Sequence, residues 1–432
     1  MADFLPPLAV LMALACSDPA PAPDDGAGAE DTDDDLPFDS GGWDSGAPDG
    51  EPPEVTEETL PDQVMSDDWI FAQDVIHEVV ITLPQASWDA LYAAPRELTP
   101  GDVSFDGVEI AQVGVRLRGK IGSFRTLDGK PKLEVDFNRY VEDQRLYGLE
   151  SLSFNSSIVD CSYVKEPLGY ALFAAMGVPA SRSAFAHITI NDRDYGLYVI
   201  IETTDDRFTR RHWGEPVGNL YDGKYVLWPD NSYTLLDFGE GHDELYQLEE
   251  GTDVGHVDIA SVTAAYIDGT AAGDFHSRAG AVVNWDNLHR MWAVEQWMGQ
   301  NDGYCMNKNN YRVYFDAEDG LMRMIPWDLD HSFLEDYEWG RSWPSPYGNL
   351  ARACFADAAC AAEHRVVVTE MLTVVEGLDL PGLATQLETL TDAAARADPR
   401  RECAETSIDS YRAHVNSWLT TRSASVRTMW GL

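Results

Sequence analysis

The sequence predicts an α+β protein whose front half is rich in sheet and whose back half is rich in helix. From His77 to Glu202, short segments alternate apolar and polar residues and are separated by turn residues. After Glu202 the pattern turns mostly helical, and from about Glu363 to Trp430 it reads as long helices. With 432 residues, 44% of them hydrophobic and 24% charged, the chain has apolar mass for two domains or two lobes.

In order, "HEVVITLP" reads as a strand and "ASWDALYAA" as a short helix. "DVSFDGVEIAQVGVRLRGK", "PKLEVDFNRY" and "GLESLSFNSS" follow as strands. "SYVKEPLGYALFAAMG" is a helix ending at Gly177; Pro167 is tolerated only near a helix start, which places that start near Ser162. "AFAHITINDRDYGLYVIIE" is a hairpin turning at "NDRD". "WDNLHRMWAVEQWMGQ" is a helix with Leu288, Met291, Trp292 and Met298 largely on one face. "NNYRVYF" and "LMRMIPW" pair across "DAEDG".

The net charge of -44 argues against nucleic acid as a partner and fits a solvated, exported or salt-tolerant protein. Residues 1–16 read as an export signal, with an apolar stretch from Leu5 to Ala15 too short to span a membrane. It ends "ALAC", which places Cys16 where a bacterial lipoprotein carries its lipid, although no Lys or Arg precedes the stretch. Residues 17–68 lack Lys and Arg altogether and read as a disordered acidic linker. Within it, "DTDDDLPFDSGG" invites a calcium-loop reading, but Leu36 stands where that turn needs Gly. The expectation is a monomer at the bacterial cell envelope or outer surface, touching membrane only through a lipid on Cys16. Outside the cytoplasm, Cys354–Cys360 or Cys360–Cys403 could form a disulfide. No cysteine pair or Cys/His cluster has zinc spacing.

Three constellations carry candidate chemistry. In "QNDGYCMNKNNYRVYF", Asp302 follows a helix and an amide-rich loop leads into a strand. In "IPWDLDHSF", Asp328 and Asp330 end an apolar strand, and two close carboxylates repel unless something positive neutralises them. "GKPKLEVDF" holds Lys130 and Lys132, two of only six lysines, and Glu166 follows on the next helix. Phosphoryl transfer needs these types: an Asp for the acceptor hydroxyl, an Asn and a second Asp on Mg²⁺, and a Lys held by a Glu. Asp302 suits the first role and Asp328 the metal, with Asn310 directly before the strand as lead amide ligand and Asn307, five residues after Asp302, as the alternative. "RGKIGSFR" supplies Gly119 and Gly122 as a weak phosphate loop. Each part taken alone has a structural explanation as a cap, a turn or a solvated hairpin lysine.

In combination, "GKPKLEVDFNRYV", "QRLYGLESLSFNSS", "YVKEPLGYALFAAMGVPASRSAFAHITINDRDYGLYVIIE", "GNLYDG", "NDGYCMNKNNYRVYFD" and "IPWDLDHSF" resemble the CotH kinase family of atypical secreted, spore-coat-type kinases. The resemblance is best over 113–333, within a domain of 69–432 whose residues 338–432 form a helical C-terminal part. It implies a distant, two-lobed protein-kinase-like fold that transfers phosphate from ATP, with Mg²⁺ or Mn²⁺, to exposed serines of exported proteins. Residue by residue it implies Lys130 as the nucleotide lysine, with a shift to Lys132 open, and Glu166 as its partner. It further implies Asp302 as the catalytic aspartate and Asn310, Asp328 and Asp330 at the metal. Glu202 joins Gly119 and Gly122 among the nucleotide-binding candidates. The alternative is a surface scaffold or adhesion protein that keeps this fold without catalysis.

Overall fold

The structure, a computed structural model, describes residues 67–335, 337–338 and 341–432. The export signal with Cys16, the calcium-loop-like stretch and the linker up to residue 66 lie outside the described residues. The described fold begins two residues inside the linker expected over 17–68. Asp67 is already buried in a 3₁₀ turn, Asp67–Phe71, and accepts from Arg182 and Arg207 at 2.8 Å each.

The front half is a closed, seven-stranded barrel. Its strands are β1 (Ile76–Thr82), β2 (Thr99–Phe105), β3 (Val108–Arg118), β4 (Lys132–Asp136), β5 (Ser151–Asn155), β6 (Ser183–Ile190) and β7 (Arg193–Glu202). The order around it is β1-β2-β3-β4-β5-β7-β6, and the parallel pairing of β1 with β6 closes the ring. Alternation explains the interior: Val79, Ile81, Val115, Leu117, Leu133, Val135 and their neighbours point inward and are buried together. Closure also removes the exposed sheet edges that a strand-rich chain must otherwise protect. The β6–β7 hairpin turns at Asn191 and Asp192, both at positive φ, as a two-residue turn requires.

Helix α1 (Gln85–Ala93) follows β1 as predicted. Helix α2 (Lys165–Ala175) starts three residues later than expected, because Tyr163 sits at φ 64 and cannot begin a right-handed helix. Residues 203–256 also depart from the mostly helical expectation. They hold α3 (Asp206–Trp213) and four short strands, β8 (Asn219–Asp222), β9 (Val226–Leu227), β10 (Tyr233–Thr234) and β11 (Gln247–Glu250). Helices then dominate, with α4 (Val257–Ala272), α5 (Phe275–Ala279), α6 (Trp285–Met298) and the single turn α7 (Tyr304–Asn307). Strands β12 (Tyr311–Phe315) and β13 (Met322–Pro326) pair as predicted and join β8 and β11 in a four-stranded sheet. The C-terminal part is α8 (Asn349–Ala356), α9 (Ala358–Gly377), α10 (Leu380–Ala397) and α11 (Glu405–Trp430).

Helix α6 is the axis of the back half. Its residues from Asn287 to Met298 are buried almost without break, so it is enclosed on all sides rather than on one face. Each large apolar side chain buried there contributes about 1.5–3 kcal/mol. The C-terminal helices are tied back to the barrel through the α10–α11 connection. Cys161 and Cys403 form a disulfide, as do Cys354 and Cys360, and Cys305 is free and buried. Of the pairings expected, Cys354–Cys360 forms, and Cys403 takes Cys161 rather than Cys360 because the connection packs against the segment leading into α2.

Candidate active site

The site is assembled where β4, α2, the α6–β12 loop and the end of β13 meet. On β4 the alternation that sends Leu133 and Val135 into the barrel sends Lys132 and Glu134 to the other face. Lys132 reaches across to the back half, where its ammonium donates to both carboxylate oxygens of Asp328 and to Asp330 Oδ2, each at 2.9 Å. Asn155, at the end of β5, donates to the same two carboxylates at 3.3 Å. The positive charge that "IPWDLDHSF" demands is therefore supplied in part by the protein itself.

The two aspartates divide their roles. Asp328 is in the left-handed region at φ 47, a conformation Asp tolerates better than most residues, and its partly exposed carboxylate opens into a cleft. Asp330 is buried and turned inward. Burial works upward on both carboxyls. At Asp330 the ammonium of Lys132 outweighs it and holds the group below the usual range, whereas the charge of Asp330 keeps Asp328 above it. Glu166, on the first turn of α2, is pushed well above its ordinary value by burial and by Asp328 and Asp330, with Lys132 pulling the other way. Three acidic groups thus face one ammonium.

Asp302 follows the left-handed Gly299 that ends α6. Its carboxylate accepts from three amides: Asn307 at 2.6 Å, Asn310 at 2.9 Å and Asn309 at 3.1 Å. Burial pushes its pKa up to about 6, against the lowering pull of the Asn307 bond and of His331. Asn310 also donates to the Asp328 carbonyl at 3.1 Å, joining the two acidic residues, and Gln300 donates to that carbonyl at 3.2 Å. Beneath the loop, the buried Glu295 on α6 accepts from the amides of Tyr304 and Cys305 at 3.0 Å each, which fixes the turn that carries Asn307.

The amides also separate the two Asn candidates. Asn307 uses its oxygen to accept from Arg341 and its nitrogen on Asp302, so both ends are engaged. The side-chain hydrogen bonds of Asn310 run through Nδ2 alone, leaving its Oδ1 available. Asp328 and Asn310 are hard oxygen donors beside a surplus of negative charge, a set that fits Mg²⁺ or Mn²⁺. Among the described residues one further cluster of metal-ligating side chains comes together, His289 with Cys354 and Cys360, and both its sulfurs are in a disulfide.

Three candidates, Lys130, Glu202 and Gly122, do not join the site. Lys130 is buried away from the cleft, where it donates to Asp398 and to the Leu197 carbonyl. Tyr163 and the Leu197 amide complete the ring around Asp398 at 3.1 and 3.2 Å. Lys130 is thus an anchor for the α10–α11 connection, and the two-residue shift puts Lys132 at the site. Glu202, the last residue of β7, is buried and held by Arg182 at 2.7 Å and Arg211 at 2.5 Å, a structural pair outside the cleft. Gly119 lines the cleft at φ 96, where a Cβ would stand 2.9 Å from the Ser123 carbonyl, but Gly122 does not line it. The cleft holds about 630 Å³ between the barrel face and the four-stranded sheet, with Asp302, Asn310 and Asp328 on its floor. Asn155, Gln300, Glu295 and Asn309 were not foreseen. The amide-rich run 300–310 was a signal for Gln300 and Asn309, whereas Asn155 looked like any strand-end asparagine.

A lysine from the barrel and an aspartate pair from the back half, meeting over an amide-bound aspartate, define a kinase-like arrangement. The sequence model of the family described as CotH kinase protein matches residues 115–360, more than half of the 432, and the chain belongs to that family. Among curated proteins it is similar to inner spore coat protein H of Bacillus subtilis (strain 168), 22% identical over 209 residues, 47% of this chain and 53% of that protein. The chain therefore spans about half the length of the curated relative it matches. Among solved structures it resembles a Shewanella oneidensis MR-1 toxin–antitoxin complex of HipA, HipB and operator DNA. The TM-score is 0.35 and the identity 14%, over 73% of this chain and 68% of that one, too loose a likeness to argue from. No described helix is long and apolar enough to cross a membrane.

Proposed function

We propose that this chain is a protein kinase that uses ATP and Mg²⁺ (or Mn²⁺) to phosphorylate serine hydroxyls of proteins outside the cytoplasm. The observation that carries this reading is the convergence of Lys132, Asp302, Asn310 and Asp328 at one cleft. Asp302 is the base: it takes the proton of the serine hydroxyl as the hydroxyl oxygen bonds to the γ-phosphorus and the bond to the β-phosphate oxygen breaks, releasing ADP. Its amide partners fix the carboxylate for an incoming hydroxyl. Lys132 leaves Asp328 in part to contact the phosphates, and Glu166 and Asp330 hold its ammonium. Asp328 and Asn310 would hold the metal, which when bound neutralises charge on the transferring phosphoryl group.

Export and lipid anchoring at Cys16 belong to the same reading and rest on the leader composition alone. One observation favours a non-catalytic scaffold instead: Lys132 bridges Asp328 and Asp330, a contact that by itself ties the barrel to the back half. Melting temperature with and without ATP plus Mg²⁺ separates the two. A nucleotide at a hundred times its Kd should add about 2.7 kcal/mol of stability. An unchanged melting temperature at millimolar nucleotide would favour the scaffold.

A further inference from the structure

We propose that Arg312 and Arg118, packed against the indole of Trp327, form a phosphoryl-binding subsite in the cleft that takes the terminal phosphoryl group of the nucleotide. The proposal rests on the kinase reading and adds to it two binding residues from different parts of the fold.

Arg312 is 5% exposed, yet its Nε and Nη1 have no hydrogen-bond partner. The carboxylate facing it across β8 and β12 is Asp222, 4.0 Å away, too far for a hydrogen bond. Asp222 is already engaged, because its side chain accepts from Lys224 Nζ at 2.6 Å and from the Lys224 amide at 2.8 Å. A guanidinium buried with open N–H donors is costly unless an anion reaches it. What contacts it instead is an aromatic face: its guanidinium carbon lies 4.7 Å from the centre of the Trp327 ring, and that of Arg118 lies 5.1 Å from the same ring. Arg118 is oriented by a 2.6 Å bond to Ser153 and lies 3.5 Å from Glu134.

The placement selects the terminal phosphoryl group. Arg312 follows Asn310 by two residues, Asn310 standing just before β12, and both line the cleft, while Trp327 directly precedes Asp328. The Trp327 amide donates to the Asn310 carbonyl at 3.1 Å, fixing the indole beside the proposed metal and base. All three side chains line the cleft that holds Asp302, Asn310 and Asp328. Planar guanidinium groups match phosphoryl oxygens in pairs, a geometry that a lysine ammonium does not offer.

The test is calorimetric titration of the full-length wild type, Arg312→Gln and Arg312→Lys with Mg²⁺ and three probes: ADP, the non-hydrolysable β,γ-methylene analogue of ATP, and pyrophosphate. Arg312→Gln should weaken the ATP analogue roughly ten- to a hundred-fold and leave ADP near wild type, with Arg312→Lys in between. Equal losses for ADP and the analogue, or no loss for either, would overturn the assignment, as would a deficit that appears only with an acidic peptide acceptor. If the wild type binds neither nucleotide, the kinase reading fails by itself. Pyrophosphate bound by wild type and lost in Arg312→Gln would still support the subsite, and no binding of pyrophosphate to wild type would overturn it. Should Arg312→Gln fail to fold, Arg118→Gln, at a partly exposed position, gives the same three readings.

Discussion

Lys132 donates to both carboxylate oxygens of Asp328 at 2.9 Å, and through that contact a strand of the barrel holds the end of a strand in the back half. The contact joins the two halves at the floor of the cleft, so its loss is a matter of stability as well as chemistry. Removing the ammonium leaves Asp328, Asp330 and Glu166 facing one another without compensation.

Lys132→Met should therefore destabilise the protein by about 3–5 kcal/mol and abolish nucleotide binding. Lys130→Met should cost a similar amount, because it strands Asp398, but should leave nucleotide affinity intact in whatever fraction folds. Combining Lys130→Met with Asp398→Asn removes the stranded charge and should recover part of the stability. Denaturant melts alongside nucleotide titrations read both effects, and loss of nucleotide binding in Lys130→Met alone would contradict this division of labour.

Asp302 gives the reaction its acid limb. Burial raises its pKa to about 6, so the carboxylate is charged and able to accept a proton above that pH and is protonated below it. The pH profile of kcat/KM should fall as pH drops through about 6. A limb centred near the ordinary aspartate value of about 4 would show that Asp302 is not the base.

The two disulfides should differ in weight. Cys161–Cys403 closes a separation of 242 residues and Cys354–Cys360 one of 6. Loop-closure entropy assigns them about 5 and about 2 kcal/mol. Replacing the first pair with alanines should lower the melting temperature more than replacing the second. The first pair also locks the connection that Lys130 grips, so its loss should increase proteolysis between α10 and α11.

Much of this architecture was readable from local pattern. The barrel strands alternate cleanly because one face is buried, and Asp302, Asn310 and Asp328 stood out as polar groups at the ends of apolar elements. The choice between Lys130 and Lys132 was not readable, because both sit at the start of one strand. What separates them is Asp398, 268 residues away from Lys130. Glu202 stands among the nucleotide-binding candidates for the same reason, its partners Arg182 and Arg211 being visible only in the fold. The strands of residues 219–250 span two to four residues each, too few for a periodicity to show.

Phosphoryl transfer by Asp302 with Asp328 at the metal can be measured outright. Purified full-length protein given ATP labelled at the γ-phosphate, Mg²⁺ or Mn²⁺, and a serine-containing protein acceptor measures it directly. Wild type should place label in the acceptor or in the chain itself, and Asp302→Asn and Asp328→Asn, both still folded, at least a thousand-fold less, a scale of about 4 kcal/mol in the barrier. Equal labelling by wild type and both variants, or none from a wild type that binds ATP, would contradict this assignment of roles.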